Sequence, residues 1–117
     1  MISYTYIKSN HFFKKGGYFF GKDYDIYMDR NRYVDVICQF KKDGEIIPIK
    51  VRFEYEDGAL QEYKIKSYRQ VTETNQYVMV TSSMIPFECK VEAFGEVRTI
   101  FLTFNCNNHV WLMKVKR

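Results

Sequence analysis

Past residue 32 the sequence has no amphipathic segment of helix length. That absence excludes helical bundles and α/β folds with crossover helices. Cysteine is scarce: Cys38, Cys89 and Cys106 have no CxxC spacing and leave an odd one over. A disulfide framework is therefore not expected, and reduced thiols in the cytoplasm are. The two histidines, His11 and His109, each lack a second His or Cys partner set at ligand spacing. Cys106 precedes His109 by three positions, but one such pair makes no zinc site, and no metal or cofactor is expected. Near the start, Lys8, Asn10, Lys14 and Lys15 interrupt every apolar cluster, so no signal-peptide core is expected. No apolar stretch reaches membrane-spanning length, and no membrane contact is expected.

What is present is alternation. Ile47, Ile49, Val51, Phe53 and Tyr55 alternate with Pro48, Lys50, Arg52 and Glu54. Ile85, Phe87, Cys89, Val91 and Ala93 alternate with Pro86, Glu88, Lys90 and Glu92. Neighbouring strand side chains point to opposite faces, so each run has one buried face and one wet one. That pattern belongs to antiparallel sheets, since a covered parallel sheet reads as unbroken apolar runs. Aromatics at 18% favour strands as well. The expected strands are 33–40, with Val34, Val36, Cys38 and Phe40 inward, then 46–56, 61–68, 76–82, 85–94, 96–104 and 109–116. Turns are expected at Asp43-Gly44, Asp57-Gly58, Gly95 and 105–108. Pro48 cannot donate to a ladder, so its end of the strand should be an edge or a bulge. The fold class is all-β: a small antiparallel meander closing into an SH3-like or OB-like barrel over residues 32–117. Val36, Val51, Phe53, Phe87, Val91, Ile100 and Leu102 form the expected core, with Trp111 at least partly buried.

One hairpin breaks the one-face rule. Ile100, Leu102 and Phe104 oppose Val97 and Phe101, and Trp111, Met113 and Val115 oppose Val110 and Leu112. Something outside the barrel must cover such a hairpin. The aromatic-rich N-terminal extension, residues 1–31, is the candidate, because nine aromatics fall within residues 1–27. The extension packs on its own barrel, or pairs with the 97–115 hairpin of a protein partner or second copy. Met28 stands just before the regular pattern and could serve as an alternative start.

Chemical motifs are weak. Gly16-Gly17-Tyr18-Phe19-Phe20-Gly21-Lys22 has phosphate-loop spacing, yet Asp23 replaces the magnesium-holding hydroxyl and neither a preceding strand nor a following helix is suggested. No pattern of Ser, His and Asp suited to nucleophilic catalysis emerges. The best functional hint is the strand bearing Lys64, Lys66 and Tyr68 on one face, with Arg69 adjacent. Cations interleaved with an aromatic suit a single-stranded nucleic-acid backbone and a stacked base. The net charge of +4 permits such contact without requiring it.

Tyr33-Val34-Asp35-Val36, Asp43-Gly44 with Ile47-Pro48, Glu56-Asp57-Gly58 with Tyr63-Lys64-Ile65, Phe87-Glu88-Cys89, Gly95-Glu96-Val97-Arg98 and Asn108 with Trp111 form a recognisable series. In these positions, across about residues 32–116, the chain resembles a family of small uncharacterised proteins of Gram-positive anaerobic bacteria. The resemblance implies the β-domain and carries no activity. The expected function is a non-enzymatic binding or scaffolding module. The alternatives are a single-stranded nucleic-acid binder and an enzyme whose site is assembled from scattered residues.

Overall fold

A computed structural model describes residues 32–54, 58–93 and 95–116. The expectations for residues 1–31 and for Tyr55 lie outside the described residues. Six strands follow one another as β1 (Arg32–Phe40), β2 (Ile46–Glu54), β3 (Leu60–Gln70), β4 (Met84–Ala93), β5 (Glu96–Asn105) and β6 (Val110–Val115). Each pairs antiparallel with the next, and β1 pairs with β6 to close the barrel. The order is an unbroken meander. Closure buries one face of every strand, which is why alternation dominates the sequence.

The core matches the inward parity of β4 and β5. Phe53, Phe87, Val91, Ile100 and Leu102 are all buried, with Val51, Met113 and Trp111 beside them. Val36 is half-buried against the same cluster. Trp111 tilts against both Phe87 and Phe104, with centroids 6.0 and 5.2 Å apart.

Two bulges change the expected parity. Ile37 pairs with Lys50 but Cys38 pairs with Pro48, so Ile49 is the extra residue on β2. Beyond it Pro48 and Ile46 turn inward and are buried, while Ile49 is exposed. Proline's missing donor is tolerated at such a break. The second bulge, at Lys66, lies between the Ile65–Val91 and Ser67–Lys90 pairs. Glycine carries the β1–β2 turn, where Gly44 has φ of 96° and its N–H donates to the Lys41 carbonyl at 2.9 Å.

The strand expected at 76–82 is absent. Its neighbourhood instead makes local bonds that compete with a ladder. Asn75 Oδ1 accepts from the N–H groups of Tyr77 and Val78, and Thr74 Oγ1 from that of Val80. Thr81 Oγ1 accepts from Ser83 and Met84. The resulting loop lies on the outer face of β5. Val71 and Val78 bury Phe101, and Tyr77 stacks on its ring at 4.8 Å and 9°. The two-sided strand β5 is therefore covered at Phe101 by the β3–β4 connection. At Phe101 that cover comes from residues 71–80, and the covering role expected of residues 1–27 lies outside the described residues.

Replacing Phe53 by alanine should destabilise the barrel by about 3–5 kcal/mol. Asn75→Ala, which frees only a surface loop, should cost about 1 kcal/mol. Urea unfolding checks both, through midpoints that shift while the slope is unchanged.

Candidate functional site

The barrel seam is short. β1 and β6 pair only at Arg32–Met113, Tyr33–Leu112 and Val34–Trp111. β1 then continues to Phe40 against β2, while β6 begins at Val110. Where the strands part, a groove of about 500 Å³ opens. Val36 and Cys38 of β1, Phe104 of β5 and Trp111 of β6 supply apolar wall. Phe40 stands at the lip, 59% exposed, with its ring edge-on to Phe104 at 5.5 Å. Phe40 had been expected inside; it is exposed because no β6 residue reaches across to cover it.

Charge lies on the rim. Arg52 Nη2 donates to Asp35 Oδ2 at 3.3 Å, and Lys50 lies 4.0 Å from Glu62. Asp35 Oδ1 is buried with no hydrogen-bond partner among the described residues. His109 closes one end. It ends the β5–β6 connection at φ of 60°, its N–H donating to the Asn105 carbonyl at 2.8 Å. Histidine is among the residues that tolerate this left-handed backbone. Its ring stacks on Phe104.

The groove holds no visible catalytic device. No hydrogen bond joins the His109 ring to a carboxylate or cysteine among the described residues. Burial pushes the Cys38 thiol up, and burial together with the Glu88 carboxylate pushes Cys89 up to about 12. Both therefore favour the thiol over the nucleophilic thiolate. No group of three or more His, Cys, Asp or Glu side chains converges as a metal site among the described residues. No helix there is long and apolar enough to cross a membrane.

The residues singled out on β3 do not share one face. The bulge at Lys66 turns Tyr68 inward, where its ring meets Phe87 at 6.2 Å. Its hydroxyl donates to Glu45 Oε2 at 3.0 Å. Lys66 donates to Glu92 at 3.2 Å, and Arg69 is paired with Glu88. Lys64 is exposed on the outer face, opposite Lys50. Two of the three cations thus already face carboxylates, and the half-buried Tyr68 lies on the opposite side of the strand from them.

Sequence reasoning passed over the groove. Its signal was the exposed parity of Ile37 and the brevity of the last strand, neither of which stands out in a linear pattern. Family models, curated proteins and solved structures all return no match to this chain.

Hydrogen bonds from Lys41 and then Tyr68 hold the Glu45 carboxyl below the ordinary carboxylate range, and the same Glu45 bond raises the Tyr68 phenol. Glu45's contribution is present above the ordinary carboxylate range and is lost as pH falls through the depressed value. Tyr68's contribution is present below the ordinary phenol range and is lost as pH rises through the raised value. A carbon-detected NMR titration should find Glu45 depressed, and Tyr68→Phe should bring it partway back.

Proposed function

We propose that this protein is a non-enzymatic binding module and that the groove between β1 and β6 receives an apolar group of its ligand. The opening of the seam beyond Val34–Trp111 carries the reading. Binding sites are typically concave and mainly apolar, with a few polar groups at the edge. Here the wall of Val36, Cys38, Phe104 and Trp111 has that character, and Asp35, Arg52, Lys50 and Glu62 provide the polar rim. The meander order supports an SH3-like barrel over an OB-like one, whose strands follow a Greek key. Free thiols at Cys38, Cys89 and Cys106 support a reducing, cytoplasmic setting. The likeness to the Gram-positive anaerobe family belongs to the same proposal.

Trp111, the single tryptophan, lies in the wall and reports on it. Anilinonaphthalene sulfonate, an apolar fluorescent anion, should bind the native full chain and accept energy from Trp111. Phe40→Glu should weaken that binding about tenfold by removing apolar contact at the lip. Stability should change by no more than about 1 kcal/mol, since the replaced ring is largely exposed. Binding that is indifferent to Phe40→Glu, with no transfer from Trp111, would sink the proposal.

A further inference from the structure

The groove borders a strand edge as well as a set of side chains. β1 is paired with β2 from Asp35 to Phe40, yet on its other side pairing ends at Val34. No strand among the described residues takes up that side of Asp35–Phe40. Alternate residues of a strand turn their N–H and C=O groups to alternate sides. Among the described residues, about 20 Å of this edge therefore carries unpaired donors and acceptors. Natural sheets blunt such edges with lysine, proline or a covering element. This one instead displays Ile37 and Phe40, 55% and 59% exposed.

We propose that the occupant of the groove is an extended peptide segment of a partner protein, added to β1 as a further strand. The inference rests on the groove being the binding site. Two observations fix the occupant's chemistry. The unpaired edge demands main-chain amides and carbonyls in extended form, which a small apolar ligand lacks. The wall beside it accepts side chains from one face of such a strand only, because alternate side chains of the incoming segment point inward. The occupant thus carries apolar or aromatic residues at every second position. Asp35 Oδ1 adds an acceptor that has no donor among the described residues at the point where the seam opens, and an arriving strand brings amide donors to that end.

The test uses the isotope-labelled full chain and a synthetic seven-residue peptide alternating tyrosine or isoleucine with threonine. Two twins carry N-methyl groups on one or the other alternate set of amides. The unmodified peptide should shift and protect alternate amides within residues 35–40. One twin should bind at least about tenfold more weakly and the other nearly as well, since only one set of amides faces the edge. Equal binding by all three peptides would overturn the strand-addition proposal while leaving the groove as an apolar site. Failure of the peptides while anilinonaphthalene sulfonate still binds through Phe40 and Trp111 would do the same. Failure of both probes would remove the groove itself. Concentration-dependent dimerisation protecting the same amides without peptide would overturn the proposal in favour of a second copy.

Discussion

Closure of the barrel through three residue pairs is the constraint from which the rest follows. A meander of six strands abolishes its edges only if the first and last strands match in length and register. Here β6 ends its reach at Val110, and β1 runs on to Phe40. The shared stretch from Arg32 to Val34 shuts one end over Trp111 and Met113, both buried. Among the described residues the other end stays open. A tight core and an accessible apolar groove therefore arise from the same seam, and Trp111 belongs to both.

The bulges reconcile long strands with a small barrel. An extra residue at Ile49 bends β2 and lets Pro48 turn inward without demanding a donor from it. The extra residue at Lys66 does the same for β3 and brings Tyr68 against Phe87. Each bulge exchanges the faces of all residues beyond it. That is why the expected face of cations with an aromatic does not form: Tyr68 belongs to the inner side, while Lys66 and Arg69 stay outside with Glu92 and Glu88.

The covering loop shows a local preference serving a tertiary need. The side chains of Asn75, Thr74 and Thr81 accept from the backbone N–H groups of Tyr77, Val78, Val80, Ser83 and Met84, local bonds that take the place of a strand ladder. The loop is then free to lie flat over Phe101, with Tyr77 stacked on the ring. Polar residues hold the loop's shape, and Val71, Val78 and Tyr77 hold it down.

Several features were legible in the chain itself. Period-two alternation in β2 and β4, Asp43-Gly44 at the first turn and the two-sided pattern of β5 all express local rules, because strand geometry fixes which neighbours share a face. The need for a cover over Phe101 could be read there too. Its source could not, since the choice among polar segments depends on which one lies over β5 in space. Pro48 marked its end of β2 as an edge or a bulge, and the break lies beside it at Ile49; the bulge at Lys66 had no such marker, because a bulge is a mismatch between two strands. The groove is the extreme case. Whether Phe40 is core or lip depends on how far a strand seventy residues later extends beside it, and only the register of β1 on β6 decides that.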